Sequence, residues 1–108
     1  MTEIRFFNDG SQITGYEISG HSTSSFDDMK GKIICSAVSS AAYLTANTLS
    51  EFVKAKILAE VDDGYMKIEV KSKLSESQIT LKGLLLHARE LANQYRNYVK
   101  VYSEVYPC

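Results

Sequence analysis

The stretch from Lys32 to about Phe52 carries almost no charge. Between Lys32 and Glu51 it is dominated by alanine, serine and threonine, with Ile33, Ile34, Val38, Leu44 and Leu49 interspersed. A helix without a charged face is usually buried on most sides, so this segment is expected to be a central helix wrapped by the rest of the chain. Its small residues would let a sheet, or a second subunit, come close. Since 108 residues suffice for about one hydrophobic core, residues 1–108 are expected to form a single domain around it.

The segments on either side supply the layer for that helix. Thr2 to Asn8 has the strand formers Ile4, Phe6 and Phe7, and Asn8-Asp9-Gly10-Ser11 is a turn signal. Ile13, Tyr16 and Ile18 continue into a second strand ending at Gly20, with Gly15 marking a bulge. Beyond the central helix, Lys56 to Val61 alternates, Asp62-Asp63-Gly64 turns, and Tyr65, Met66, Ile68 and Val70 form a partner strand. Ser75 and Gln78 resemble a capping box ahead of Ile79, Leu81, Leu84, Leu85, Ala88 and Leu91, which recur at helical spacing to about Arg96. Tyr98 to Val105 alternates again and reads as a last strand. The order ββαββαβ predicts an α+β fold, a mainly antiparallel sheet packed with two helices.

Charge and cysteine content narrow the function. Twelve basic and thirteen acidic side chains leave a net charge of −1, so no global field favours nucleic acid. Met1-Thr2-Glu3-Ile4-Arg5 lacks the pattern of a secretory signal, and no apolar run approaches the roughly 20 residues that cross a bilayer. A cytoplasmic protein is expected, with no membrane partner. Two cysteines, Cys35 and Cys108, are too few for a disulfide framework or a zinc site. No metal or cofactor is expected, and Cys108 reads as part of a frayed tail.

Chemistry concentrates at one place. The second strand delivers Gly20-His21-Ser22 into a loop, Ser22 to Gly31, whose apolar members Phe26 and Met29 either pack it down or lie open as a binding surface. Cys35 follows about three residues into the expected helix, near backbone N–H groups without intrahelical partners, a setting that favours thiolate. Its other reading is a buried core cysteine among Ile33, Ile34, Ala37 and Val38. His21 has the chemistry of a general base, and it pairs with Cys35 only if the loop folds back onto the helix. Ser39, one turn beyond Cys35, either orients the thiol or substrate or bonds back to a carbonyl. Asp27 and Asp28 are candidates to orient His21, or are solvated or helix-capping. His87 reads as a partly buried helix histidine.

Gly20-His21-Ser22, the loop, and Ile33-Ile34-Cys35-Ser36-Ala37-Val38-Ser39 together resemble the ribosomal-processing cysteine protease family, Prp. The resemblance extends to the Asn8-Asp9-Gly10 hairpin, the strand pair after the central helix, and the final helix ending in Gln94-Tyr95-Arg96-Asn97-Tyr98-Val99-Lys100-Val101. It implies a homodimeric cysteine endopeptidase that removes the N-terminal extension of bacterial large-subunit ribosomal protein twenty-seven. The family's catalytic pair falls on His21 and Cys35, and its helix serine on Ser39. Two departures stand out: Lys32 occupies a position where the family often has aspartate, and the loop is about two residues longer than the family pattern. Asp28 could supply a displaced carboxylate, or Lys32 could stabilise the thiolate. The competing expectations are a noncatalytic dimeric ribosome-assembly protein with a structural Cys35, and a different thiol enzyme using the same pair.

Overall fold

A computed structural model describes residues 1–20 and 28–105. Strands β1 (Thr2–Asn8) and β2 (Ile13–Ser19) lead to helix α1 (Met29–Asn47), which runs into a π-helical turn, Thr48–Val53. Strands β3 (Ile57–Asp62) and β4 (Tyr65–Val70), helix α2 (Leu74–Gln94) and strand β5 (Val99–Val105) follow. The α+β order ββαββαβ is the one the sequence predicts.

The five strands form one sheet in the order β3-β4-β2-β1-β5. The β1–β2, β2–β4 and β3–β4 pairs are antiparallel, whereas β5 lies parallel to β1. The sheet is therefore mixed. A parallel neighbour needs a crossover rather than a tight turn, and here the chain crosses through α2 before β5 docks on β1. Between β1 and β2 the register slips beside Gly15, where Phe7 pairs with Gly15 and Asn8 with Ile13. Gly15 has a second reason to be glycine, because a Cβ there would run into the Ile68 carbonyl of β4.

Both helices bury one stripe against the same core. Ile4, Phe6, Tyr16, Ile18, Met66, Ile68 and Val99 supply the sheet side; Ile34, Val38, Ala42 and Leu49 face them from the α1 segment, and Leu81, Leu84, Ala88 and Leu91 from α2. The tight approach allowed by Ala42 is fixed by Tyr16, whose buried hydroxyl donates to the Ala42 carbonyl at 2.9 Å. Burial raises the pKa of that phenol, so it remains a neutral donor. The expectation of a helix buried on most sides is corrected: Ile33, Tyr43 and Leu44 are exposed. A single helical layer on a sheet leaves each helix an outer face, and α1 keeps an uncharged one.

The capping-box reading of Ser75 and Gln78 is also corrected. Helix α2 starts at Leu74, with Lys73 in left-handed conformation and no side-chain cap. Ser75 instead accepts from the Gln12 amide at 3.0 Å. Gln78 accepts from the Ile13 N–H and donates to the Ile13 carbonyl, both at 2.8 Å. An amide carries donor and acceptor side by side, so Gln78 imitates a strand partner for the first residue of β2 and ties the helix to it.

Candidate active site

Helix α1 begins earlier than the sequence pattern implies. Asp28 is its N-cap, with a carboxylate oxygen accepting from the Gly31 N–H at 2.9 Å and its carbonyl accepting from the Lys32 N–H at 3.1 Å. Among the roles open to Asp28, helix capping is one that it fills. Met29 is thus the first helical residue rather than a loop residue, and it is exposed. Lys30 then ties this end of α1 to the link between α2 and β5, its ammonium 5.8 Å from the Tyr95 ring centre and 5.7 Å from that of Tyr98.

The earlier start moves Cys35 into the second turn of the helix. Its amide lies within the i→i−4 ladder, so the expected nearness to unpartnered N–H groups does not hold, and the Cys35 N–H is not available as an oxyanion donor. What the helix does is aim the thiol. Cys35 is partly exposed, and it lines a cleft of about 280 Å³ between α1, the start of β1, the end of β2 and the β3–β4 turn. Ser39, one turn on, lines the same cleft and is exposed. Among the described residues its hydroxyl makes no hydrogen bond, so the back-bonding seen at Thr45 and Thr48 is absent at Ser39.

The opposite wall comes from the strands. Thr2, at the start of β1, is 1% exposed, and its hydroxyl oxygen lies 3.8 Å from the Cys35 sulfur. Asp62, Asp63 and Gly64 of the β3–β4 turn form the rim. That turn is tied to the end of β2 by the Gly20 N–H, which donates to the Gly64 carbonyl at 3.1 Å. Gly20 also lines the cleft. Its φ of +85° suits glycine, and a Cβ there would collide with the Met1 carbonyl. His21 is the next residue in the chain; it, Phe26 and Asp27 lie outside the described residues, as does Cys108.

Tyr65 borders the cleft, and its hydroxyl donates to Glu17 at 2.8 Å. That bond to a carboxylate, aided by desolvation, pushes the Tyr65 pKa up to about 12, so it offers no base near neutral pH. His87 is exposed on α2 rather than partly buried, and it borders a separate groove between the helices. Sequence reasoning had Cys35 and Ser39, but missed Thr2 and the Asp62-Asp63-Gly64 rim. The pattern Asp62-Asp63-Gly64 signals only a turn, and nothing in the local pattern of Thr2 signals a contact 33 residues away.

The profile of a known family, cysteine protease Prp, matches residues 1–100. The chain belongs to that family. Solved structures share the Prp fold with it. SMU.848 from Streptococcus mutans is 24% identical with a TM-score of 0.85, covering 98% of this chain and 96% of that one. An essential ribosomal processing protease Prp from S. aureus, in complex with a covalently linked product peptide, is 18% identical with a TM-score of 0.84, covering 96% and 100%. The same S. aureus protease in complex with a substrate peptide is 17% identical, also with a TM-score of 0.84 and the same coverage. No curated protein matches the sequence. No described helix of this Prp-family chain is long and apolar enough to cross a membrane.

Proposed function

We propose that this Prp-family chain is a cysteine endopeptidase that removes the N-terminal extension of large-subunit ribosomal protein twenty-seven, with Cys35 as nucleophile and His21 as general base. The observation that carries the reading is a partly exposed thiol opening into a cleft in a chain whose Prp match runs over residues 1–100. The S. aureus relatives that share the fold hold a substrate peptide and a covalently linked product peptide, which supports a peptide as the occupant here.

In the proposed reaction His21 takes the Cys35 proton, and the thiolate attacks the scissile carbonyl to form a tetrahedral adduct. As the adduct collapses, the C–N bond breaks and His21 returns the proton to the leaving amine. Water then hydrolyses the thioester with His21 as base. Because the Cys35 amide is committed to the helix, oxyanion donors must come from elsewhere in the cleft. The Ser39 hydroxyl, which has no partner among the described residues, is assigned to the substrate carbonyl or the thiol. One carboxylate oxygen of Asp28 serves the helix cap, and the catalytic pair proposed here is the dyad of Cys35 and His21.

Phe26 and Met29 are assigned to the apolar part of the substrate. The uncharged outer face of α1, with Ile33 and Leu44 exposed, supports association with a second copy of the chain. A peptide spanning the extension junction tests the assignment. Wild-type protein is expected to cleave it, while Cys35→Ala and His21→Ala lose turnover by several orders of magnitude. Cleavage by Cys35→Ala at the wild-type rate would show that another group is the nucleophile.

A further inference from the structure

Thr2 is a buried polar residue at the start of β1, the strand next to the sheet edge. Its backbone is held tightly: its N–H donates to the Tyr98 carbonyl at 2.8 Å, and it pairs with Val99 of β5. Its side chain lines the cleft, and its hydroxyl oxygen sits 3.8 Å from the Cys35 sulfur, within reach of a hydrogen bond to sulfur. We propose that Thr2 is a positioning residue for the nucleophile, its hydroxyl fixing the Cys35 side chain and donating to the sulfur once the thiol has lost its proton.

The chemistry follows from what each group can do in its two states. A thiol is a weak donor and a hydroxyl both donates and accepts, so the neutral pair can bond in either direction. A thiolate has no proton, and only the hydroxyl can then donate. The bond to the charged form is the stronger one, which favours thiolate over thiol and holds the sulfur at the cleft wall. A rigid strand anchored at Tyr98 and a helix second turn carry the two partners, so the separation is set by the fold rather than by a loop. The inference rests on Cys35 being the nucleophile, and it adds a residue that the motif around the histidine and cysteine does not contain.

The test pairs Thr2→Val, which keeps the branched shape and removes the hydroxyl, with Thr2→Ser, which keeps the hydroxyl. Iodoacetamide alkylation of Cys35 is followed across pH, with the modified site located by peptide mapping so that Cys108 is counted apart. The other described titratable groups bordering the cleft, Tyr43, Asp62, Asp63 and Tyr65, together with Lys32 on α1 and the histidine base, are common to all variants. Thr2→Val is expected to move the alkylation midpoint up by about one pH unit, the equivalent of a tenfold loss in thiolate preference. It should also lower kcat on the junction peptide about tenfold with KM unchanged, the loss expected for one hydrogen bond to a charged group. Thr2→Ser should restore both.

If Thr2→Val does not fold, Thr2→Ser and Thr2→Ala, which lose the same methyl group, are compared in its place. Superimposable alkylation profiles for the folded variants with and without the hydroxyl would overturn the proposal. Alkylation needs no substrate, so a chain that cleaves no peptide would refute the protease reading while leaving the role of Thr2 at Cys35 separately measurable.

Discussion

Gly20→Ala is the substitution that most directly probes how the fold builds the cleft. Two costs add at this position. Its φ of +85° disfavours any residue with a Cβ by roughly 1–2 kcal/mol. The new Cβ also enters the space of the Met1 carbonyl oxygen, and relieving such overpacking typically costs about 1–3 kcal/mol. Gly10 provides the control: its φ is +93°, and a Cβ there meets nothing within 4 Å, so Gly10→Ala bears only the first cost. Gly20→Ala should therefore be less stable than Gly10→Ala by about 1–3 kcal/mol. For a domain of this size each kcal/mol corresponds to roughly 4–8 °C in Tm, so the two variants should melt about 10 °C apart. Urea unfolding with an unchanged m-value reads the difference as stability. Gly20→Ala should also impair peptide cleavage, because relief of the clash moves Met1 and with it Thr2. Equal stability of the two variants would refute the close approach of Met1 to Gly20 as the reason for glycine.

Three further outcomes follow from the contacts. Gln78→Ala strips both backbone partners from Ile13 and should cost about 1–3 kcal/mol by denaturation, with amide exchange accelerated at Ile13. Asp28→Ala removes the cap of α1 and should cost about 1 kcal/mol, whereas Asp28→Asn retains most of it; thermal unfolding separates the two. Asp9 accepts from the Gln12 and Ser11 amides, which hold its carboxyl below the usual range. A depressed folded pKa gives stability that is present above the ordinary carboxyl value and is lost as pH falls through the folded one. Acid unfolding of Asp9→Asn should accordingly lose less stability below about pH 4 than the wild type. An NMR titration giving Asp9 an ordinary pKa would contradict the turn geometry.

Most strands and both helices were legible because hydrophobic spacing and turn residues are local signals. The exceptions are those settled by distant partners. Periodicity places β5 but cannot say that it runs parallel to β1, a direction set by the α2 crossover. Met29-Lys30-Gly31 looks like loop because Gly31 disfavours helix, yet Asp28 caps that glycine's N–H and Lys30 reaches Tyr95 and Tyr98. Those contacts outweigh the propensity, and the shifted start changes the electrostatic setting of Cys35. Ser75 and Gln78 fit a capping pattern, but a second strand competes for their polar atoms and wins. At the site, Cys35 and Ser39 are visible as one face of one helix, whereas Thr2 and the Asp62-Asp63-Gly64 rim come from strands that only the sheet brings together. The lack of charge along α1 was visible too; that it marks an open outer face as well as a buried one depends on the single layer of helices.

The proposed function is that the thiol beside Thr2, with His21 as its base, processes a ribosomal protein. Intact-protein mass spectrometry of the organism's own extended ribosomal protein twenty-seven, incubated with wild-type chain and with Cys35→Ala, tests it most directly. A single cut that releases the N-terminal extension is expected with the wild type and none with the variant. An uncut protein after prolonged incubation with folded wild-type chain, or the same cut made by Cys35→Ala, would contradict it.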